Sequence, residues 1–362
     1  MANHVTDLTV GVLGLGQGQS HLQAFQAIEG SRVLAVCDKD EALAQAVAHK
    51  FNVPKHCTNF AQLLEDKTLD ILVIATPDHT HGQFAIQALE AGKHVLSEIP
   101  MATTLDEIQR IIALTERTGL KYHMGNQVRY AFCLQDVQKL IGAGDFGDLF
   151  YGEGEYLHDM EDIAGSRGAD HWRIQRDIPQ TTMLGGGPHA IDTLRWLMGA
   201  RFVEVQAFHA NQQTRWGTGH TTVALFKTDN GGVAKITVSY GMMRPYCLYY
   251  SVYGSEGSFE RSRDQGAPMQ ETTNYLYHSR LSGSRRMIPV TLPNWNNPKV
   301  ARKFSLGHGT MEIEQAQDFL AAIRNDSQPA IDAREAARSI AAGICALQSA
   351  DQGGGVVKIP QF

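Results

Sequence analysis

Apolar residues in the first 125 positions follow two alternating rhythms. Short runs at 9–13, 33–37, 71–75, 94–97 and 121–124 stand between polar turns, as strands buried on both faces do. The segments between them, 21–28, 41–50, 82–90 and 105–118, place apolar residues at i, i+3 and i+4, the spacing of helices with one covered face. Gly92 and Gly119 fall where helix C-terminal caps belong. Strands alternating with helices give a parallel, doubly wound sheet, which binds ligands at the carboxyl ends of its strands.

After about residue 145 the period becomes two. Polar and apolar residues alternate over 233–240, and 203–208 and 221–228 behave similarly. A further strand begins near Phe150 and runs through Tyr156. These predict a mostly antiparallel, open sheet with one covered face, its cover being helices at 190–198 and 312–324. An alanine-rich helix at 333–349 and a short strand at 356–360 close the chain. Residues 264–304 are rich in Arg, Ser, Asn and Pro without a clear period, and are expected to form a long loop or lid.

The first strand runs into Gly14-Leu15-Gly16-Gln17-Gly18, and the second apolar run closes at Cys37-Asp38. Glycines let the backbone turn sharply out of the strand and bring a pyrophosphate to the helix N-terminus. A carboxylate at the next strand tip, here Asp38, bonds the ribose hydroxyls of NAD and repels the extra phosphate of NADP. The third glycine falls two residues after Gly16 rather than three, so a tighter loop is expected. The fold expected is therefore α/β: an N-terminal Rossmann domain over 1–125, and a C-terminal α+β domain with an open, mostly antiparallel sheet over 126–362.

Composition serves mainly to exclude. The chain has 362 residues and a net charge of −6 with no basic block, which argues against nucleic acid or an anionic membrane as partner. Its five cysteines are scattered and form no CxxC pair, so neither a disulfide framework nor a thiolate zinc site is suggested. No run is long enough for a membrane span and the N-terminus lacks a basic leader region, so a reducing, cytoplasmic location is expected.

Thr76-Pro77-Asp78-His79-Thr80-His81 and Glu98-Ile99-Pro100 end the next two apolar runs. With Trp172-Arg173, Gly187-Pro188-His189-Ala190-Ile191-Asp192, Arg195-Trp196 and the closing Phe319-Leu320-Ala321-Ala322-Ile323, they resemble the Gfo/Idh/MocA oxidoreductase family over nearly the whole chain. That resemblance implies a tightly held NAD, a sugar, inositol or related polyol as substrate, and homodimers or homotetramers formed through the C-terminal sheet. It implies that Thr76, Pro77, His79, His81, Glu98, Ile99, Asn126 and Gln127 lie at the cofactor, and Trp172 and Arg173 at the mouth of the site. Arg129 is a further substrate candidate, because a guanidinium grips hydroxyls or a carboxylate in a fork, and Trp172 offers a flat apolar face to a sugar ring. Two positions depart from the family pattern: Ile99 replaces a lysine that orients the reacting hydroxyl, and Gly185 replaces an aspartate that holds the substrate.

Of the lysine, aspartate and histidine that the resemblance implies for the reaction, only the histidine, His189, remains. Hydride leaves a carbinol carbon readily only if the hydroxyl proton departs with it, and an imidazole suits that task. Asp192, three residues on, is expected to orient the ring. Tyr156 and His158, two apart on a strand, face one way, with Asp159 opposite or in the following loop. Tyr156-Leu157-His158-Asp159 with Glu-Ile-Pro also resembles the related NAD-dependent glycosidases, which oxidise C3, eliminate the anomeric group, add water and return the hydride. Those enzymes resemble Tyr-x-x-His where this chain has Gly186-Gly187-Pro188-His189, so Tyr156 is a candidate substitute for the missing phenol. His158, Asp159, His171 and His189 lack a metal-ligand spacing, and no metal is expected. The leading expectation is an NAD-dependent oxidoreductase acting on a secondary hydroxyl of a sugar, glycoside or cyclitol; the alternatives are a redox-cycling glycosidase or lyase, and a silent dinucleotide or sugar sensor.

Overall fold

The structure, a computed structural model, describes residues 7–159, 172, 181–210, 220–261, 263, 274–278, 288–290 and 310–362. It divides into two compact units, Met1–Gln127 with Lys299–Ala337, and Val128–Pro298 with Arg338–Phe362.

In the first unit, strands β1 (Leu8–Leu13), β2 (Ser31–Cys37), β3 (Lys55–Cys57), β4 (Ile71–Ile74), β5 (His94–Glu98) and β6 (Tyr122–Gly125) form a parallel sheet of order β3-β2-β1-β4-β5-β6. The order reverses between β1 and β4, which places a ligand crevice at their carboxyl ends. Helices α1 (Gly18–Gln26), α2 (Glu41–Lys50), α3 (Phe60–Glu65), α4 (His81–Glu90) and α5 (Leu105–Thr118) connect the strands. β4 is buried throughout, which accounts for its unbroken apolar sequence. Gly119 caps α5 in the left-handed conformation at φ +73°, as its position after the last apolar turn predicts. β3 and α3 escape the pattern because they are short, and β3 is also largely exposed.

The second unit holds α6 (Phe132–Gly142), β7 (Leu149–Leu157), the helical turn α7 (Thr182–Gly185) and α8 (Gly187–Met198). β8 (Phe202–His209), β9 (Thr221–Thr228), β10 (Val233–Ser239), β11 (Cys247–Gly254), β12 (Gly257–Arg261), β13 (Asn274–His278) and β14 (Ile288–Val290) follow. With β15 (Val357–Lys358) they make a nine-stranded sheet, β14-β13-β12-β11-β7-β10-β9-β8-β15. Only β7 and β10 pair in parallel; the other neighbours are antiparallel. α8 packs close on β7 because Gly152 and Gly154 present no side chains to it: a Cβ at 152 would lie 2.8 Å from Leu194, and one at 154 would lie 3.3 Å from Ala190. The opposite face carries exposed apolar side chains, Phe208, Val223, Leu225 and Val233.

Two expectations are corrected here. Helix α9 (Met311–Arg324), expected to cover the second sheet, belongs to the first unit, where Ile313, Ala316, Phe319 and Leu320 join Val10, Val12, Leu22 and Phe25 in one core. Its apolar face shows that it needs a cover but not which sheet supplies one. Residues 264–304 are not a plain loop, since β13 and β14 extend the sheet edge there. β11 was hidden for another reason: its first six residues are all buried, so it shows no period of two. The last helix, α10 (Ala333–Asp351), starts where its alanine-rich sequence predicts and runs two residues further. Among the described residues no helix is long and apolar enough to cross a membrane.

Candidate functional site

In the first unit the glycine turn is fixed by its own backbone. Gly14 sits at φ +84°, and a Cβ there would strike the Ala75 carbonyl, so both conformation and space demand glycine. Its N–H donates to the Cys37 carbonyl at 2.9 Å, and the Leu15 N–H donates to Asp38 Oδ2 at 2.8 Å. Asp38 Oδ1 accepts from the Asp40 N–H at 3.1 Å. The acidic strand tip therefore braces the glycine turn, while each oxygen keeps a second lone pair for a hydroxyl. A Cβ at Gly16 would meet nothing within 4 Å, the open approach that a pyrophosphate needs, whereas one at Gly18 would come within 3.0 Å of Val12. Gly18 thus does the third glycine's work, close helix–strand packing, one residue early. Gln17, the N-cap, makes no side-chain capping bond, so the amide end of α1 is left to a ligand.

At the end of β4, Thr76 Oγ1 and Thr80 Oγ1 lie 2.7 Å apart, and Thr80 Oγ1 also donates to the Pro77 carbonyl at 2.7 Å. His79 is exposed. His81, expected at the cofactor, is a brace: its Nδ1 lies 2.9 Å from the Pro100 carbonyl and its Nε2 lies 2.7 Å from the Thr76 carbonyl, with the side chain buried. At the end of β5, Glu98 Oε1 lies 2.7 Å from His21 Nε2, and Glu98 Oε2 accepts from the Ile99 N–H at 3.3 Å. Sequence reasoning missed His21; the one available signal was its place in the helix that follows the glycine turn. Ile99 is buried, as an apolar wall requires. Beyond β6, Asn126 and Gln127 are buried, and Gln127 Oε1 has no hydrogen-bond partner among the described residues. The open approach at Gly16, the uncapped amide end of α1 and this orphaned oxygen fit a dinucleotide.

In the second unit His189 occupies the first turn of α8, 8% exposed, with its carbonyl accepting from the Tyr250 hydroxyl at 3.1 Å. Its ring stacks on that of Tyr156, with centroids 5.5 Å apart and planes 11° from parallel. The Tyr156 hydroxyl lies 3.1 Å from His158 Nδ1, so the two side chains share a face as their spacing predicts. Tyr246, just before β11, was not anticipated. It packs edge-on against Tyr156, with ring centroids 5.4 Å apart. Burial, then the neighbouring Tyr156 and Tyr250 phenols, push the Tyr246 hydroxyl well above the ordinary tyrosine value, which keeps it neutral.

Two sequence assignments change. Arg129, expected at the substrate, is buried and forks onto Asp192, Nε to Oδ2 at 2.7 Å and Nη2 to Oδ1 at 2.6 Å. Asp192, expected to orient His189, gives its carboxylate to that fork and to the Ser339 hydroxyl at 2.7 Å, with Arg195 at 3.8 Å. A fully buried carboxylate needs such partners, and Arg129 lies too far along the sequence for i, i+3 reasoning to find it. Burial alone would raise the Asp192 carboxyl, but Arg129, then Arg195 and Ser339, hold it below the ordinary aspartate value. Trp172 is half-buried; Arg173 and His171 lie outside the described residues.

A six-stranded parallel sheet with a glycine turn, an acidic strand tip and an uncapped helix end defines a Rossmann dinucleotide-binding protein carrying a second α+β unit. Residues 8–126 match the family model described as "Oxidoreductase family, NAD-binding Rossmann fold", and 134–260 match the "GFO/IDH/MocA C-terminal domain". The chain belongs to the Gfo/Idh/MocA family, and its dinucleotide is NAD. Residues 198–362 also match the model of the "Glycosyl hydrolase 109, C-terminal domain". A relative named alpha-N-acetylgalactosaminidase, from Shewanella oneidensis, is 26% identical over 98% of this chain and 84% of its own length. Two solved structures share the fold: an oxidoreductase domain protein from Kribbella flavida, with TM-score 0.84 and 21% identity over 98% of this chain and all of its own. The other is a levoglucosan dehydrogenase in complex with NADH and levoglucosan, with TM-score 0.83 and 22% identity over 99% of this chain and all of its own.

Proposed function

We propose that this protein is an NAD-dependent oxidoreductase that transfers a hydride between a secondary hydroxyl of a sugar, glycoside or cyclitol and the nicotinamide, with His189 as its acid/base group. NAD, when bound, supplies the hydride acceptor. The chain's own residues manage the proton. The observation that carries the reading is the His189 imidazole, fixed at the start of α8 by stacking on Tyr156 and by the Tyr250 bond to its carbonyl. An imidazole so held takes the hydroxyl proton as the carbon–hydrogen bond breaks and returns it in the reverse direction. Tyr156 and His158 form a second proton-carrying pair beside it, and Trp172 and Arg173 complete the substrate group. Asp38, the glycine turn, Thr76, Pro77, Glu98, Ile99, Asn126 and Gln127 hold the cofactor, Glu98 being set by His21. The named sugar dehydrogenase among the solved structures supports a carbohydrate substrate.

A second reading has specific support. The glycosyl hydrolase 109 match, the alpha-N-acetylgalactosaminidase relative and the Tyr156–His158 pair favour a redox-cycling glycosidase, in which the same oxidation opens a cycle that returns the hydride. Incubating the NAD-loaded protein with aryl glycosides, free sugars and cyclitols, while following NADH absorbance and aglycone release, separates the two. NADH accumulating as the hydroxyl is oxidised to a ketone, with the glycosidic bond intact, is the expected result; aglycone release without lasting NADH moves the assignment to the glycosidase. Neither signal on any compound contradicts both readings and leaves the sensor.

The same reading makes the protein a homodimer or homotetramer through the open face of the second sheet, supported by Phe208, Leu225, Val223 and Val233, which are 60, 50, 38 and 41% exposed. Light scattering should give more than one chain per particle, and Leu225→Glu should shift it towards the monomer. A cytoplasmic location accords with five unpaired thiols.

A further inference from the structure

Three consecutive glycines precede the histidine turn, and the middle one is glycine for an unusual reason. Gly186 adopts φ −105° and ψ −28°, a right-handed conformation open to any residue, so its backbone does not ask for glycine. The space does: a Cβ built on Gly186 would come within 2.3 to 2.8 Å of three ring carbons of Tyr156. The demand at the neighbouring Gly187 is much weaker, its Cβ meeting nothing nearer than the Thr182 carbonyl at 3.3 Å. The side chain of residue 186 and the phenol of residue 156 therefore compete for one volume, and here the strand residue has it. The Tyr156 ring also packs edge-on against Tyr246, with planes 75° apart.

We infer that Gly186 and Tyr246 are positioning residues for the Tyr156 phenol, Gly186 by vacating the volume its ring fills and Tyr246 by packing edge-on against that ring, so that the ring lies parallel to the His189 imidazole. This rests on the proposed acid/base role of His189, and it adds the reason why the phenol beside that histidine comes from β7 and not from the turn before α8. Any side chain at 186 pushes the ring off the imidazole.

The test reads position and turnover separately. The His189 ring protons, identified by their disappearance in His189→Gln, should carry a ring-current shift that survives in Tyr156→Phe and is lost in both Tyr156→Leu and Gly186→Ala. Gly186→Ala should lower turnover about tenfold or more in the presence of Tyr156, but less than about twofold in a Tyr156→Ala background, the non-additivity of residues in contact. If Gly186→Ala alone does not fold, the double variant should fold, because the clash is gone. The inference is overturned if Gly186→Ala leaves the His189 signals unmoved, if its effect adds to that of Tyr156→Ala, or if neither variant folds. A wild-type protein that turns over no carbohydrate would defeat the proposed function, while the proton shifts would still decide the placement.

Discussion

Gly14, Leu15 and Asp38 meet in the first unit through main-chain amides that donate to the Cys37 carbonyl and the Asp38 carboxylate at the tip of the neighbouring strand, whereas Tyr156, Gly186, His189 and Tyr246 meet in the second through side chains drawn from separate elements. A main-chain site tolerates many side chains but few changes of backbone, so a short motif suffices to encode it. A side-chain site depends on how a mixed sheet orders its strands and on which helix lies over them. The first kind accordingly binds a dinucleotide common to many proteins, and the second can be re-cut for one substrate.

The contrast can be broken most forcefully at the buried ion pair beneath α8. Asp192→Asn leaves Arg129 buried against a neutral partner and should cost about 3–5 kcal/mol in unfolding free energy, whereas the double variant Arg129→Met with Asp192→Leu should recover most of it. The sign with pH follows from the depressed Asp192 value. Its stabilisation is complete above the ordinary aspartate value of 3.8 and is lost as pH falls through the folded value, so Asp192→Asn should show less acid-side loss in a denaturant series.

Next in size, His189→Gln should reduce turnover about 10²- to 10⁴-fold and leave NAD affinity unchanged, by equilibrium titration, because it removes proton transfer and leaves the glycine turn and Asp38 as they are. Asp38→Ala should do the reverse, weakening NAD binding about 10- to 100-fold, the worth of a charged hydrogen bond, and narrowing the preference for NAD over NADP. The smallest effect belongs to His21→Leu, which releases Glu98 and should weaken NAD about 2- to 10-fold. Equal damage to binding from His189→Gln and Asp38→Ala would erase the contrast.

The sequence made the glycine turn, Asp38, the strand ends and the parallel sheet legible because each is a local pattern with a single backbone solution. It also placed Tyr156 and His158 on one face, since a strand has a fixed period. It misassigned Asp192 and Arg129, sixty-three residues apart in sequence, because an i, i+3 neighbour is visible in a sequence and a buried partner from a distant element is not. Tyr246 and His21 were missed on the same ground. Helix α9 was given to the wrong unit because amphipathic spacing does not identify the surface that it meets.

The most direct test of the central claim is a single turnover. NAD-loaded protein, in excess over a sugar or glycoside to which it responds, is mixed with substrate carrying either hydrogen or deuterium at the oxidised carbon while NADH absorbance is recorded. The account predicts that absorbance rises in both cases and rises more slowly with deuterium, whether or not the hydride later returns. Conversion of the substrate with no rise, or no absorbance change with any carbohydrate while NAD is demonstrably bound, would contradict it.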